Sequence, residues 1–225
     1  MKNKMLAAGI SLLALSGANA GVVTFTNVNL VAVGDTIILG SNGSALQSGT
    51  VEAGYFTTGF DVTTAVSNGL ITNDFSSLLA NWNSLGSAPF YDENTLGAGV
   101  YGYYFGASDY GSPAAFLNKP LYTMIGGLGT LALSLDVVNG GSFALLSSSE
   151  VVNGDTPTPD SNLVSPENSS VLVGISGTTS YDYSGFGGAA NSTTPSIQLY
   201  SVVPEPSAAL LGALGALGLL RRRRI

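Results

Sequence analysis

The end of the chain carries an uncharged apolar segment followed by four arginines, and a segment of this kind cannot belong to an ordinary soluble surface. The stretch 207–220 consists largely of Ala, Leu and Gly. A helix of this length spans roughly 21 Å, somewhat less than the roughly 30 Å hydrocarbon core of a bilayer. Pro204 and Pro206 fit the first turn of a helix, and the arginines can reach the lipid headgroups. We therefore predict a short C-terminal transmembrane helix whose arginines stay in the cytoplasm.

The start of the chain has the features of a secretory signal peptide over residues 1–20. A positively charged beginning precedes an apolar core, and the segment ends in Ala18-Asn19-Ala20. Small residues in this A-x-A pattern predict cleavage before Gly21. The basic residues of both termini belong on the cytoplasmic side, so the two ends agree on a translocated middle.

The tail also resembles a known sorting signal. Its Pro204-Glu205-Pro206 motif, its apolar span and its terminal cluster of Arg221, Arg222, Arg223 and Arg224 occur in the order found in PEP-CTERM proteins. This resemblance implies a sorting signal over 204–225 on an exported protein of a bacterium that makes exopolysaccharide. It also implies processing near the Pro-Glu-Pro motif by a membrane enzyme of the exosortase type. It implies no catalytic activity, since the passenger domains of that family vary.

The passenger, residues 21–203, is strongly acidic once the two ends are set aside. It contains one of the seven basic residues, Lys119, and thirteen of the fourteen acidic residues, which gives a net charge of −12. We expect such a domain to repel nucleic acid, anionic lipid and acidic polysaccharide. We therefore expect no nucleic-acid partner, and the membrane contact is assigned to the C-terminal helix.

The passenger lacks the residues on which most catalytic sites depend. The chain contains no histidine and no cysteine, which excludes Ser-His-Asp triads, Cys-His pairs and ordinary zinc sites. A glycosidase that uses two carboxylates remains an alternative. Asn153, Asp155 and Asp160 share one predicted loop and are weak candidates for calcium ligands, because calcium favours carboxylate and amide oxygens. We expect no cofactor and no enzymatic activity.

Turn signals about every ten residues and a Gly, Ser, Thr, Val and Tyr composition indicate a mainly β passenger. The predicted fold is an antiparallel β-sandwich or jelly roll with one short helix. The predicted strands are 22–33, 36–39, 50–60, 100–105, 121–125, 130–138, 142–147, 171–175 and 196–202, with turns at 41–44, 139–141 and 153–155. The segments 155–168 and 177–194 are predicted loops.

The helix is predicted over Asn73–Leu85. Its apolar residues recur at helical spacing, and they are Phe75, Leu78, Leu79, Trp82 and Leu85. Asn73 or Thr72 is the expected N-terminal cap, and Gly86 the expected end. Trp82, the only tryptophan, is interpreted as a core residue, with a sugar-stacking platform as the alternative.

A tyrosine cluster offers one candidate ligand site. Tyr101 and Tyr103 alternate on a predicted strand near Asp109, and alternating rings beside a carboxylate can bind a sugar. The same residues can instead fill the core of a sandwich. The functional prediction is accordingly a non-enzymatic surface or matrix protein, associated with exopolysaccharide, with a carbohydrate-binding module that uses these tyrosines as the alternative.

The passenger also resembles exported proteins of a verrucomicrobial type in two short elements. One is Gly-Tyr-Phe-x-x-Gly-Phe, here residues 54–60, and the other is Lys-Pro-Leu-Tyr, here residues 119–122. No activity follows from this second resemblance.

Overall fold

The computed structural model describes residues 21–27, 35–90, 101–110, 119–126, 141–151, 161–184 and 190–202, which are mainly β structure. The two α-helices are α1 (Val62–Thr72) and α2 (Ser76–Asn81), and a 3₁₀ turn covers Pro166–Asn168. The strands are β1 (Gly21–Thr26), β2 (Ile37–Leu39), β3 (Thr50–Phe56), β4 (Trp82–Pro89), β5 (Phe105–Tyr110), β6 (Pro120–Gly126), β7 (Ser142–Val151), β8 (Ser161–Val164), β9 (Ser169–Val173), β10 (Ile175–Tyr181), β11 (Ser192–Gln198) and β12 (Tyr200–Ser201). The predicted signal peptide and C-terminal helix lie outside the described residues. Within those residues no helix has the length and apolar character needed to cross a membrane.

The strands form three sheets. The central sheet has the order β12-β7-β6-β3-β4, with β9 also paired to β7, and all of its pairs are antiparallel. The β1 sheet has the order β5-β1-β8, and the β11 sheet has the order β10-β11-β2. The pairs β1–β8 and β11–β2 are parallel. The predicted antiparallel arrangement is therefore confirmed for most pairs, and two parallel pairs are added to it.

The main core lies where one face of the central sheet meets the two smaller sheets. Apolar side chains alternate along the central strands, as expected for strands with two different faces. The members of this core from the three sheets include Val23, Phe25, Ile38, Val51, Ala53, Leu121, Ile125, Ala144, Leu146 and Ile197. One continuous cluster thus joins all three sheets.

The two helices cover the opposite face of the central sheet. Val62, Ala65 and Val66 of α1 and Leu78 of α2 pack against Phe143 and other residues of the central strands. Phe75 lies between the helices and the sheet, with its ring 4.9 Å from that of Phe143. This second core fixes the end of β3 and the turn that follows it.

The predicted helix over 73–85 is only partly correct. Its middle forms α2, but Trp82 begins β4, which continues through Leu85 to Pro89. Asn73 adopts a left-handed conformation (φ 55°) and ends α1 instead of starting a helix. Glu52 explains the position of Trp82, because its carboxylate accepts a 2.8 Å hydrogen bond from the indole Nε1 across the β3–β4 pair. Trp82 is half-buried against the second core, as the core interpretation predicts.

The loop predictions also need correction. The segment 177–194 contains most of β10 and the start of β11, and the segment 155–168 contains β8 and the 3₁₀ turn. Of the described part of the predicted strand 100–105 only Phe105 lies in a strand, because β5 begins there, and Tyr104 forms an isolated bridge to Phe90. The predicted strands 36–39, 121–125 and 142–147 are confirmed by β2, β6 and β7. The predicted strand 130–138 and the turn 153–155 lie outside the described residues.

A buried asparagine joins three segments of the chain just beyond the end of the β1–β5 pair. The Asn27 side chain is 2% exposed, and its amide nitrogen donates to the carbonyls of Thr36 and Gly102 at 2.9 and 2.7 Å. Its oxygen accepts from the Tyr104 amide at 2.7 Å. Because all of these polar atoms are buried, the side chain satisfies backbone groups that would otherwise lack partners. It thereby fixes the course of the chain through the tyrosine cluster.

Candidate functional site

A surface hollow lies at the turn between β3 and α1. The chain leaves β3 at Phe56, and the Phe60 amide donates to the Thr57 carbonyl at 3.0 Å, which closes a tight turn. Gly59 has a φ of +81°, a conformation that glycine adopts without strain. Asp61 then caps α1 by accepting 3.0 and 2.7 Å hydrogen bonds from the amide and hydroxyl of Thr64. The turn is therefore fixed at both ends.

The hollow has a volume of about 430 Å³ and is lined by residues 56–60, Val62, Lys119, Pro120 and Tyr122. Phe56 forms its floor, since this ring is 5% exposed and lies 5.4 Å from the ring of Phe60 and 4.9 Å from that of Tyr122. Phe60 and Tyr122 are only half-buried. Two aromatic rings thus remain accessible above an aromatic floor, which is the composition usual for small-ligand sites.

Lys119 brings the only positively charged side chain of residues 21–203 to the rim of this hollow. It precedes Pro120, the first residue of β6, and its ammonium group donates a hydrogen bond to the hydroxyl of Thr58. The pairing of Gly54 with Tyr122 across β3 and β6 places the two strands side by side. The lysine and the β3–α1 turn consequently meet although they are far apart in sequence.

The predicted tyrosine site is not formed as an exposed face. Gly102 has a φ of +84°, so residues 101–104 do not continue as a strand and consecutive side chains leave in different directions. Tyr103 is 0% exposed and packs with Tyr181 and Tyr183, whereas Tyr104 is 0% exposed in the main core. A fully buried ring cannot stack on a sugar. Tyr103 is thus observed as a core residue, which corresponds to the packing alternative.

Tyr101 is half-buried, and its backbone is held by Tyr181. The Tyr181 hydroxyl accepts from the Tyr101 amide and donates to the Tyr101 carbonyl, both at 2.8 Å. Asp109 lies in β5 opposite Val22 of β1, but its side chain is not among those that the structure describes. Burial raises the pKa values of Tyr103 and Tyr104 far above the usual 10.0. These phenols are neutral side chains of the core.

The remaining predicted sites lie mostly outside the described residues. This holds for the signal-peptide residues Ala18 and Ala20, for Pro204, Glu205, Pro206 and the four terminal arginines, and for the calcium candidates Asn153, Asp155 and Asp160. Gly21, the predicted first residue after cleavage, is the first residue of β1. Among the described side chains no group of three or more acidic residues is close enough to hold a metal ion.

The perturbed carboxylates have structural explanations. Hydrogen bonds from Thr64, Ser76 and Ser184 lower the pKa values of Asp61, Asp74 and Asp182 below the usual 3.8. All three carboxylates are exposed and accept bonds from backbone amides two or three residues further along. They are local caps, and none of them lines the hollow.

Sequence reasoning did not identify the hollow, although it singled out both of its parts. The element 54–60 and the element 119–122 were recognised separately, and they converge only because β3 pairs with β6. The lone lysine among thirteen carboxylates was the one signal in the sequence that could have indicated this site. No protein-family model, characterised protein or solved structure that was compared with the chain matches it.

Proposed function

We propose that this is an exported, non-enzymatic protein of the cell surface or extracellular matrix, sorted through a PEP-CTERM-like tail. The observation that carries the proposal is the order of parts at the C-terminus: Pro204-Glu205-Pro206, the apolar span and then four arginines. A signal peptide at the other end agrees with it, because both termini place residues 21–203 outside the cytoplasm. An exosortase-type enzyme is the proposed processing partner.

The passenger is proposed to be a β-sandwich. The main core supports this proposal, since its side chains come from one face of the central sheet and from both smaller sheets. Sheets that share one apolar core face to face form the layers of a sandwich. The helices add a further layer over the outer face of the central sheet.

Association with exopolysaccharide is part of the proposal, but the tyrosine cluster is a poor basis for it. A carbohydrate-binding module that uses Tyr101 and Tyr103 would need both rings at the surface, and Tyr103 is buried. A carboxylate-only glycosidase needs two facing carboxylates in a cleft. No acidic side chain lines the described hollow, so nothing there favours this alternative.

Intact-mass measurement of the protein from its native host, with membrane and released fractions analysed separately, tests the sorting proposal. We expect the released form to start at Gly21 and to end near Pro204–Pro206. A variant in which the four arginines are replaced by Gln should accumulate unprocessed, whereas the matched variant with four lysines should retain its orientation because it keeps the charge. A released form that still carries Ile225 would overturn the proposal.

A further inference from the structure

The hollow between the β3–α1 turn and the start of β6 carries aromatic side chains that pack against the second core and still leave part of their surface exposed. Gly59 at its edge is exposed, and Phe60 and Tyr122 leave part of their rings open although apolar surface gains by burial. This aromatic group continues from the second core to the surface through Phe56. An accessible ring pair above a buried ring offers a flat apolar face to a ligand.

Charge is the second feature of the hollow. Thirteen carboxylates and one ammonium group make up the charged side chains of residues 21–203, and that ammonium group lies at the rim. The Thr58 hydroxyl accepts one of its three donors, which holds the group beside the rings. The two remaining donors can bind a carboxylate oxygen. The neighbouring Asp61 directs its carboxylate at Thr64 and does not neutralise the lysine directly.

We propose that this hollow binds a carboxylate-bearing sugar ring, a hexuronate unit of an acidic polysaccharide. The C–H faces of the pyranose would lie on Phe60 and Tyr122, and its carboxylate would be bound by Lys119. The Thr57 hydroxyl is already bonded, since it donates to the Asn81 carbonyl at 3.3 Å and accepts from the Asn83 side-chain amide at 3.4 Å. The hydroxyl groups of the ring would therefore meet the backbone of the β3–α1 turn, which also lines the hollow. A volume of about 430 Å³ accommodates one or two such rings.

The ammonium group of Lys119 favours a hexuronate over a neutral hexose. A neutral sugar would use the rings but would leave the only cation without a charged partner in the site. An acidic chain is repelled at long range by the net charge of −12. At physiological ionic strength this repulsion is screened beyond roughly 8 Å, so the contact with Lys119 dominates once the ligand is seated. The site therefore recognises a local carboxylate and does not act as a polyanion receptor.

The test uses the purified full chain in a mild non-ionic detergent and isothermal calorimetry at physiological salt. The probes are a tetrahexuronate and the same oligosaccharide after its carboxyl groups have been reduced to alcohols. We expect binding of the acidic probe, and affinity for the reduced probe weaker by about tenfold or more, as for the loss of a charged hydrogen bond. Lys119→Met should lose about the same factor, and Lys119→Arg should retain most of the affinity.

A second pair of variants separates the rings from the fold. Phe60→Ala should weaken binding of the acidic probe about tenfold, because one stacking face is removed. Leu70→Ala removes an apolar side chain of α1 that is 44% exposed and outside the hollow, and it should leave the affinity unchanged. Circular dichroism confirms that each variant is folded. Binding that survives both Lys119→Met and Phe60→Ala in folded protein would overturn the proposal.

Two further outcomes also overturn it: equal affinity for the acidic and reduced probes, and no heat at millimolar acidic probe. Tight binding of a simple aromatic carboxylate in place of the sugar would do so as well, since it would assign the site to another ligand class. The inference deepens the proposed association with exopolysaccharide but does not depend on sorting. A chain that is exported and trimmed yet binds no hexuronate refutes the site alone, and a chain that binds but keeps its tail refutes the sorting alone.

Discussion

Gly102 is the residue on which the path of the tyrosine cluster depends, and its replacement by alanine gives a quantitative test. Its φ of +84° lies in the region that favours glycine. A Cβ atom there would lie 2.8 Å from both Ile37 Cγ2 and the Ile38 carbonyl oxygen. The second of these atoms belongs to the backbone, which is held by the 3.2 Å bond from the Ile38 amide to the Gly102 carbonyl. The methyl group can therefore be accommodated only by moving the chain.

The expected cost has two parts. A left-handed alanine costs roughly 1–2 kcal/mol, and overpacking in a closed core adds about 1–3 kcal/mol. Gly43 provides a matched control, because its φ is +80° and no atom lies within 4 Å of the position of its Cβ. Gly43→Ala should thus lose only the backbone term, roughly 1–2 kcal/mol. The difference between the two variants isolates the packing term.

Urea unfolding of the purified chain, followed by the fluorescence of its only tryptophan and by circular dichroism, measures both variants. We expect the midpoint of Gly102→Ala to fall well below that of Gly43→Ala at an unchanged slope. Equal losses for the two variants would refute the reasoning, because they would mean that the backbone near Ile38 moves freely. A Gly102→Ala protein as stable as the parent would refute the assigned path of the chain through residues 101–104.

Three further predictions concern side chains of the core. Gly69→Ala in α1 should destabilise the protein by about 1–3 kcal/mol in urea unfolding although alanine favours helices, because the new Cβ would lie 2.3 Å from the ring of Phe75. Ser67→Ala, on the exposed face of the same helix, is the control and should be neutral or stabilising. A stabilising effect of Gly69→Ala would contradict the packing of Phe75 against α1. Thr123→Val should raise the melting temperature, because it removes a buried hydroxyl that has no hydrogen-bond partner, and we expect a gain of about 1 kcal/mol in the free energy of unfolding. A loss of stability would mean that the hydroxyl forms a hydrogen bond in the folded protein. Burial raises the pKa of Tyr104 in the folded protein above its usual value of 10.0. Below pH 10.0 the phenol is neutral in both the folded and the unfolded state, whereas above pH 10.0 it ionises in the unfolded chain only, so the free energy of unfolding falls as pH rises. Tyr104→Phe should therefore shift the alkaline unfolding midpoint, monitored by tyrosinate absorbance and circular dichroism, to higher pH, and an unchanged midpoint would contradict the burial argument.

Strands whose apolar runs lie in the core were predictable from the sequence. The segments 36–39, 121–125 and 142–147 consist of residues that a closed sheet buries, and β2, β6 and β7 occupy them. The turn at 41–44 was also predictable. Gly43 takes a φ of +80°, and the Asn42 side chain accepts a 3.0 Å bond from the Ser44 amide. In these places the local preference and the tertiary packing agree.

The errors fall where tertiary contacts override a local pattern. Trp82 and Leu85 continue the helical spacing of α2, but Trp82 pairs with Phe56 and donates to Glu52, and Leu85 lies at the register shift of the same β3–β4 pair. Gly86 allows this strand to approach β5, since a Cβ there would lie 2.3 Å from Ser108 Cβ. The helix α1 was missed although Asp61 caps it, because its Thr and Val residues favour strands. No rule of spacing identifies contacts between strands that are distant in sequence.

The hollow was not predictable for the same reason, because it depends on a contact between strands that are distant in sequence. Its rings and its lysine were visible in the sequence as two unrelated motifs, and only the β3–β6 register brings them together. The tyrosines were adjacent in sequence and suggested a site, but the turn at Gly102 places Tyr103 and Tyr104 in two different hydrophobic clusters, where both are buried. A residue type that suits a ligand thus indicates a site only when its neighbours leave it accessible.

The described fold bears on the proposed processing through its two ends. Gly21 pairs with Tyr110 at the start of β1, so cleavage before Gly21 would remove no described strand residue. Val202 is 2% exposed, and its amide donates to the Gly141 carbonyl at 2.9 Å. Cleavage near Pro204–Pro206 would spare this contact. Gly21 and Val202, the first and last described residues, therefore both lie inside the proposed cleavage points and take part in the packing or pairing of the described fold.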